Sequence, residues 1–436
     1  MNRLGNAMIQ KILFRLIRIG DKRLLSLIQY AKNLTSLRSI QLLANIFLSD
    51  KSHPFFKVIE RFVTEVNPTC REKILKNLFL KLRGGSKNIT PPTIFISLTS
   101  RCNLRCTGCS AHKEEPYDME IPLIDWIISD SKNKGTKLFV LAGGEPFLRR
   151  DVLPLLEKHD DAYFQIFTNG TLIDETIAQF LSKIGNALIL FSLEGLSEDT
   201  DLRRGENVFQ RITHAMDLLK EKGVLFGISV LVTPRNFEMV TSEDFANEMT
   251  RRGALFAWYL TYKPVGDKPD MSMLLPPDQR YQLSQKVVEI RNALPIIAID
   301  HENDVSPIGG CLATSGIGIH INAKGGIEPC GILHYSDTAV KKGETIEVSM
   351  SKSKILQEIR SLYTSSTSCP LIDRPNELLQ LIKKVFPETY DTFTDFKNLE
   401  EYTKLFKSRQ NDFPTVKKDL YTHLSEYIFR TTCSMN

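Results

Sequence analysis

Three cysteines lie close together in one short stretch of the sequence, "SLTSRCNLRCTGCSAH" at residues 97–112. Cys102, Cys106 and Cys109 fall within eight residues in a C-x3-C-x2-C pattern. Thiolates bind soft metals, and a loop of this kind can wrap three corners of a cubane iron–sulfur cluster. Three protein ligands leave one iron open. That arrangement suits a cluster that binds a substrate rather than one that only passes electrons.

The alternative for this loop is a structural zinc site. Such a site requires four ligands, usually arranged as C-x2–4-C pairs. No fourth cysteine or correctly spaced histidine follows Cys109, and His112 is the one candidate nearby. The spacing therefore favours iron and sulfide over zinc. Arg101 and Arg105 flank the thiols, and we expect them to lower the thiol pKa values and to balance the charge of a cluster.

The composition indicates a soluble protein in a reducing compartment. Hydrophobic residues make up 42% of the chain and charged residues 25%, as in ordinary globular proteins. Eight cysteines in 436 residues are far too few for a disulfide-stapled secreted protein. Lys11, Arg15 and Arg18 interrupt the first apolar stretch, so we expect neither a secretory signal nor a spanning helix there. The prediction is a cytoplasmic location.

The first part of the chain differs in charge from the rest. Residues 1–90 hold 17 lysines and arginines against 5 acidic residues, a net charge of +12, whereas the whole chain carries +5. The pattern predicts a basic amphipathic helical segment over 1–88, ended by "GGSKNITPP". Residues 1–85 can attach the protein to an anionic membrane surface, or they can form a helical cap that packs on the rest. Cys70, alone in this segment, is predicted to be structural.

Alternating apolar runs and helical patterns follow the Gly- and Pro-rich boundary. The apolar runs are 93–99, 137–143, 162–170, 187–195, 224–232 and 254–262, and helical segments between them include 118–134, 174–184, 206–222 and 239–252. This alternation predicts an α/β fold, a partial (β/α)6 TIM-like barrel over 89–300. The cysteine loop, Glu145, Asn169 and Glu194 follow the ends of predicted strands. We expect them at the carboxyl edge of the sheet, where such folds bind ligands.

The rhythm of strands and helices stops at about residue 296. Residues 301–374 are predicted to form a small separate domain, with a hairpin in "GIGIHINAKGGIEPC" whose turn is "KGG". Residues 375–436 are predicted to be a helical extension.

Four segments after the cysteine loop complete a pattern that resembles the radical SAM superfamily. They are "AGGEPFL" (142–148), "FTNGTLI" (167–173), "FSLEG" (191–195) and "DLRRG" (201–205). Each alone could be a turn, a loop or a helix cap. The resemblance implies that Cys102, Cys106 and Cys109 hold a [4Fe-4S] cluster. It further implies contacts to S-adenosylmethionine from Gly143, Gly144, Glu145, Asn169, Ser192, Glu194, and Arg203 or Arg204.

The resemblance also implies a reaction class. The open iron chelates the amino and carboxylate groups of S-adenosylmethionine, and one electron splits the sulfonium. The products are methionine and a 5′-deoxyadenosyl radical, which abstracts hydrogen from an unactivated C–H bond. A one-electron donor such as flavodoxin or ferredoxin is then an expected partner, and no nucleic acid is expected.

A second set of cysteines follows the barrel. Cys311, Gly325 and Cys330 fit C-x13-G-x4-C, and Cys369 follows in "SCPLIDRP". This pattern resembles the auxiliary-cluster domains called SPASM or twitch, although the dense run of further cysteines in a full SPASM domain is absent and only Cys433 remains downstream. The resemblance implies one auxiliary [4Fe-4S] cluster on three cysteines. Its fourth position is open or filled by one of three residues, His320, His334 or Asp373.

The alternative for Cys311, Cys330 and Cys369 is three buried structural thiols.

Three hypotheses for the whole chain remain. The first is a radical SAM enzyme that acts on an acyl chain of a membrane lipid; it rests on the basic first segment and on "TDLRRG" and "SCPLIDRP". Those segments resemble a group related to enzymes that join fatty acyl tails. The second is a peptide- or protein-modifying maturase, against which the lack of predicted strands in residues 1–85 counts. The third, a non-enzymatic metal-binding protein, leaves "GGEP", "TNG" and "SLEG" unexplained.

Overall fold

The computed structural model describes most of residues 91–387 and a few residues outside that range. The described residues are 58, 61–62, 64–70, 73, 404 and 91–387, the last without 112–114, 137, 267–268, 303, 305–310 and 363–368. Most of the predicted segment 1–88, His112, Cys433 and most of 375–436 lie outside them. No helix within the described part has the length and apolar character needed to cross a bilayer.

Nine strands form one sheet in the described part of the chain. They are β1 (Thr93–Thr99), β2 (Leu138–Gly143), β3 (Tyr163–Thr168), β4 (Ala187–Leu193), β5 (Phe226–Val232), β6 (Phe256–Thr261), β7 (Ile297–Asp300), β8 (Gly318–Ile321) and β9 (Ile327–Glu328). The order is β7-β6-β5-β4-β3-β2-β1-β8-β9, and each neighbouring pair is parallel except β8 with β9. The sheet is not closed, as expected for a partial barrel with helices around it.

Helices connect the strands and cover one face of the sheet. They are α1 (Ile121–Asn133), α2 (Leu153–Lys158), α3 (Glu175–Ile184), α4 (Ser197–Arg204), α5 (Val208–Glu221), α6 (Phe237–Val240), α7 (Glu243–Arg252), α8 (Pro277–Ala293), α9 (Leu312–Ser315), α10 (Ile346–Lys352), α11 (Lys354–Ser361), α12 (Pro370–Asp373) and α13 (Pro375–Val385). Local signals fix their ends. The Asp174 side chain accepts the Ile177 N–H at the start of α3, and Gly185 ends that helix with φ 66°.

The six predicted strands are confirmed with small shifts at their ends, but six is not the full number. The prediction that the rhythm stops near 296 is wrong, because residues 297–300 form β7, parallel to β6. The predicted hairpin is present as β8 and β9. It does not stand apart, since β8 pairs in parallel with β1 and extends the barrel sheet. A four-residue run and a pairing between distant segments leave no periodic signal in a sequence.

Alternation along the strands gives the sheet two different faces. Ile94, Ile96 and Leu98 of β1 belong to the main apolar core, together with Ile319 and Ile321 of β8 and side chains from α1, α3, α5 and α8. The residues between them, such as those at 97 and 320, therefore face the interior of the barrel. That interior is the side on which a substrate of a barrel enzyme is held.

Residues 61–62 and 64–70 close the amino edge of the barrel. The Arg61 guanidinium donates to the carbonyls of Thr250 at 2.9 Å and Ala254 at 3.1 Å. The Asn67 backbone N–H donates to the Gly223 carbonyl at 2.8 Å. These carbonyls belong to the segments that lead into β5 and β6. The described residues of the basic segment thus contact the barrel edge opposite the cysteine loop.

Apolar contacts complete this closure. Val58, Val66 and Cys70 pack with Leu188 and Leu225 in a separate buried cluster. Burial raises the pKa of the Cys70 thiol to about 11, so Cys70 stays protonated and acts as a small apolar side chain. The cap is therefore observed for this part of the segment.

Candidate active site

The cysteine loop starts where β1 ends, and two glycines after β2 lie directly against it. A Cβ on Gly144 would lie 2.0 Å from the carbonyl oxygen of Arg101, and one on Gly143 would lie 2.2 Å from that of Thr99. Gly143 also has φ 119°, which side chains rarely tolerate. The backbone N–H groups of Gly144 and Glu145 donate to the same two carbonyls at 2.8 Å. The loop can pack on β2 only because these positions have no side chain.

The three loop thiols are half-buried and influence one another. Burial raises the pKa of Cys102, and the neighbouring Cys106 and Cys109 add to the rise. Burial also raises the pKa of Cys106, while Arg204 and Arg203 act in the opposite direction. Thiols of this kind lose their protons when a metal takes the place of the proton. The structure brings together the three thiols predicted to bind a cluster.

Glu145 is a fully buried carboxyl group that connects two strand ends. Its side chain accepts hydrogen bonds from the Thr168 hydroxyl at 2.7 Å, the Asn169 N–H at 2.8 Å and the Phe147 N–H at 3.0 Å. Burial raises its pKa although these hydrogen bonds oppose the rise. The side chain thus holds the end of β3 against the glycine segment after β2.

Asn169 connects the end of β3 to the cysteine loop. Its Nδ2 donates to the Asn103 side chain at 2.9 Å and lies 3.8 Å from the sulfur of Cys102. Its Oδ1 accepts the Thr171 N–H at 3.0 Å, which fixes the orientation of the amide. An N–H group directed at a cysteine sulfur tunes the potential of a bound cluster.

Glu194, Arg203 and Arg204 form a buried group of three charges at the end of β4. Arg203 Nη1 lies 2.5 Å from Glu194 Oε1, and Arg204 Nε lies 2.5 Å from Oε2. Burial opposes ionisation of Glu194, but Arg204 and Arg203 outweigh it and lower the pKa of the carboxyl group. One carboxylate against two guanidinium groups leaves an excess positive charge beside the thiols.

The cations near the thiols are not those predicted from their positions in the sequence. Arg101 donates to both carboxylate oxygens of Asp118, and Arg105 is exposed. Arg203 contacts the cysteine loop instead, since its Nε donates to the Thr107 carbonyl at 3.0 Å. The expectation that Arg101 and Arg105 activate the thiols is replaced by Arg203 and its neighbour on α4.

Ser192 faces the barrel interior rather than the helices. It is half-buried on β4, opposite Ser229 of β5, and lies between Phe191 and Leu193 of the main core. Gln165 of β3 also faces the interior, where its Nε2 has no hydrogen-bond partner among the described residues. The interior therefore offers polar groups as well as apolar surface.

Cys311, Cys330 and Cys369 come from three separate segments, before α9, after β9 and before α12. Burial raises the pKa values of Cys330 and Cys369 to about 12, and the nearby Cys311 adds to both rises. Lys263, next to Cys369, acts in the opposite direction. The structure thus brings the second predicted set together, in surroundings that hold the protons firmly until a metal displaces them.

The three candidates for a fourth ligand all have other partners. Asp373 pairs with Arg280 at 2.7 Å. His320 and His334 both lie against Glu328. The fourth position of an auxiliary cluster therefore stays a prediction.

Sequence reasoning missed Lys263. Its Nζ is buried and lies 2.7 Å from Glu302 Oε1, and it acts on the pKa of Cys369. The signal that could have found it is its position directly after β6, at the same edge of the sheet as the other site residues.

The carboxyl edge of the sheet carries the donor set that a [4Fe-4S] cluster and S-adenosylmethionine require. Cys102, Cys106 and Cys109 supply three soft ligands. The N–H groups of Gly144 and Glu145 are already used in bonds to the cysteine loop, so they are not available as donors to a ligand. The excess positive charge at the end of β4 suits a carboxylate.

A comparison with protein families agrees with this donor set. Residues 96–246 match the model of the radical SAM superfamily. The described site residues from the cysteine loop to α4 all fall within that range. Residues 96–246 therefore form a radical SAM domain, and the resemblance noted from the sequence is confirmed.

Several curated proteins are similar in sequence to parts of this chain. Fe-coproporphyrin III synthase of Methanosarcina barkeri is 27% identical over 183 residues, 41% of this chain and 46% of that protein. The sporulation killing factor maturation protein SkfB of Bacillus subtilis is 24% identical over 261 residues, 58% of this chain and 63% of that protein. The matches span about half the length of these relatives.

The fold is also similar to a solved structure. Streptococcus suis SuiB bound to the precursor peptide SuiA superposes with a TM-score of 0.53 and 18% identity, over 73% of this chain and 80% of that one. The similarity in fold reaches well beyond residues 96–246.

Proposed function

We propose that the protein is a radical SAM enzyme that cleaves S-adenosylmethionine reductively at a [4Fe-4S] cluster held by Cys102, Cys106 and Cys109. The observation that carries the proposal is the convergence of these thiols with the Gly143–Glu145 segment and the Glu194 charge group at one sheet edge. When bound, the cluster passes one electron to S-adenosylmethionine, which yields methionine and the 5′-deoxyadenosyl radical that abstracts hydrogen.

The chain's own residues bind and orient the cofactors. Gly143 and Gly144 let the loop approach β2, and Glu145 locks β3 against that segment. Arg204 and Arg203 supply the charge that attracts the carboxylate of S-adenosylmethionine. In this proposal Asn169, at the carboxyl edge of the sheet, and Ser192, in the barrel interior, also contact S-adenosylmethionine.

An auxiliary [4Fe-4S] cluster on Cys311, Cys330 and Cys369 is part of the proposal. Their grouping and the neighbouring Lys263 cation support it, because a cluster with thiolate ligands is anionic. Loading such clusters requires reduced thiols, which supports a cytoplasmic location. The reaction also requires a one-electron donor, such as flavodoxin or ferredoxin.

A peptide is the substrate class that the comparisons favour. SkfB is named for the maturation of a killing factor, and the SuiB structure contains a precursor peptide. The membrane-lipid acyl chain is the second candidate. It rests on the charge of residues 1–88, of which 61–62 and 64–70 are occupied in closing the barrel.

The test is formation of 5′-deoxyadenosine by the anaerobically reconstituted protein with dithionite as the electron source. We expect the wild-type protein to form it and Cys106→Ala to form none. Cys70→Ala is the matched control, since it also removes a single thiol but lies at the opposite edge of the barrel. A wild-type protein that holds iron and sulfide yet forms no 5′-deoxyadenosine would refute the proposal, as would unchanged activity of Cys106→Ala.

The same assay separates the substrate classes. A lipid extract that raises the yield would favour the acyl chain. A yield that lipid leaves unchanged and that candidate peptides raise would favour peptide modification.

A further inference from the structure

Three side chains of the hairpin region converge on the interior face of the sheet. His320 Nδ1 lies 2.7 Å from Glu328 Oε2, and His334 Nδ1 lies 3.2 Å from the same oxygen. All three atoms lie within 4.8 Å of one another. His320 is 3% exposed and Glu328 1% exposed, whereas the His334 side chain is 23% exposed, so the group is open to water only on the His334 side. None of the three is a cysteine, and Glu328 lies two residues before Cys330 of the second thiol set.

The atoms that point away from this group are all held in place. His320 Nε2 lies 2.8 Å from Ser97 Oγ, and His334 Nε2 lies 3.1 Å from the Ser110 carbonyl oxygen. Glu328 Oε1 accepts a hydrogen bond from Asn322 Nδ2 at 2.7 Å. Metal-binding histidines characteristically use their other ring nitrogen in such a hydrogen bond, and metal-binding carboxylates are likewise supported. The three inward atoms are therefore fixed in direction.

A cation can bind at the three inward atoms without breaking these outer contacts. An ion bound at His334 Nδ1, for example, leaves the contact between His334 Nε2 and the Ser110 carbonyl intact.

We propose that His320, Glu328 and His334 bind a divalent first-row transition metal through Nδ1, Oε2 and Nδ1. Two imidazoles and a carboxylate suit Zn²⁺ and Fe²⁺. Ligand atoms about 2.0–2.2 Å from such an ion are roughly 3 Å apart. The distances of 2.7 and 3.2 Å from Glu328 Oε2 to the two imidazole nitrogens are close to that value. Three protein ligands leave a further position open to water or to a substrate group.

The location gives this site a structural consequence. Ser97 belongs to β1, and Ser110 directly follows Cys109 in the cysteine loop. A metal held by His320 and His334 would therefore clamp the hairpin to the strand and loop that carry the proposed catalytic cluster.

Zinc X-ray absorption tests the site in the complete protein. The anaerobic holoprotein is exchanged with excess Zn²⁺, which displaces Fe²⁺ because it binds such sites more tightly, and is then desalted. We expect about one zinc per chain with nitrogen and oxygen neighbours at about 2.0 Å. Sulfur neighbours at about 2.3 Å would place zinc in the thiol sites and overturn the proposal. So would the absence of bound zinc.

Variants tie the zinc to these residues. His334→Gln and Glu328→Gln should each lose the zinc while iron and sulfide remain unchanged, and exposed His214→Gln on α5 should keep it. Glu328 is buried, so Glu328→Gln can fail to fold. In that case the zinc content of His334→Gln, a substitution at a half-buried position, tests the assignment. Zinc retained by His334→Gln would refute the assignment. None of these readouts depends on S-adenosylmethionine cleavage, so the outcome stands apart from the proposed function.

Discussion

The two thiol sets of this protein are built in opposite ways. Cys102, Cys106 and Cys109 lie in one loop, half-buried and beside the charged Glu194 group. The second set is assembled from three segments between residues 311 and 369, and Cys330 and Cys369 pack among apolar side chains. The first set is thus arranged for a ligand that arrives from outside. In the second set, two of the three thiols pack against an apolar cluster, which suits a cluster that is not itself exchanged.

Replacing one cysteine in each set gives the sharpest test of this difference. Cys106→Ala should abolish S-adenosylmethionine cleavage. Cys369→Ala should lose roughly half of about eight iron atoms yet still form 5′-deoxyadenosine, because its thiol packs in a separate apolar cluster. Iron analysis and the deoxyadenosine assay on the same samples measure both. Equal loss of activity in the two variants would mean that the sets do not have separate roles.

The difference also explains how much of the site was predictable. A three-thiol loop and the glycines after β2 are neighbours along the chain or in adjacent strands, so spacing predicts them. The second set was predicted by resemblance, since no local spacing joins Cys330 to Cys369. The pairing of β8 with β1 and the meeting of His320 with His334 depend on contacts between distant segments, which periodicity does not report.

Matched glycine substitutions test the packing around each set. Gly144→Ala would place a Cβ 2.0 Å from a backbone oxygen, whereas a Cβ on Gly331, beside Cys330, would meet nothing within 4 Å apart from its chain neighbours. We expect Gly144→Ala to destabilise the fold by about 3 kcal/mol and to impair cluster loading. Gly331→Ala should change stability by less than about 0.5 kcal/mol.

Thermal melting and iron content measure both glycine variants. If Gly144→Ala loads iron as well as Gly331→Ala does, the close approach of the loop to β2 is not required.

Thiol alkylation of the cluster-free protein tests the difference in burial. At pH 8, Cys330 and Cys369, whose pKa values are raised to about 12, hold far fewer thiolates than an ordinary thiol with a pKa of 9.0. Allowing for the greater nucleophilicity of a more basic thiolate, we expect alkylation about fortyfold slower than that of an ordinary thiol. Peptide mass spectrometry after timed iodoacetamide treatment gives the rates.

The same two thiols make stability depend on pH in the cluster-free protein. Their pKa values are higher in the folded chain than in the unfolded one, so they favour folding below about pH 9 and lose that effect as the pH rises towards 12. In the alkylation experiment, a reaction rate of Cys330 and Cys369 with iodoacetamide at pH 8 equal to that of a free thiol would show that the second thiol set is open to solvent.

The smallest expected effect on the radical chemistry comes from a substitution at the amino edge of the barrel, opposite the cysteine loop. Arg61→Ala removes hydrogen bonds to Thr250 and Ala254 and should destabilise the protein by about 2 kcal/mol. It should leave deoxyadenosine formation per folded molecule unchanged, because the thiol sets lie elsewhere. Chemical denaturation measures the first effect. A loss of activity without a loss of stability would connect the cap to the chemistry.

The position of β1 inside the sheet limits how the protein can be divided for study. β1 is hydrogen-bonded to β2 on one side and to β8 on the other. A fragment that stops at residue 300 keeps every cysteine of the loop but leaves one side of β1 with unpaired backbone groups. Exposed edges of this kind recruit other chains into aggregates. Expression of the barrel for separate work therefore needs the hairpin as well, so that both sides of β1 are paired.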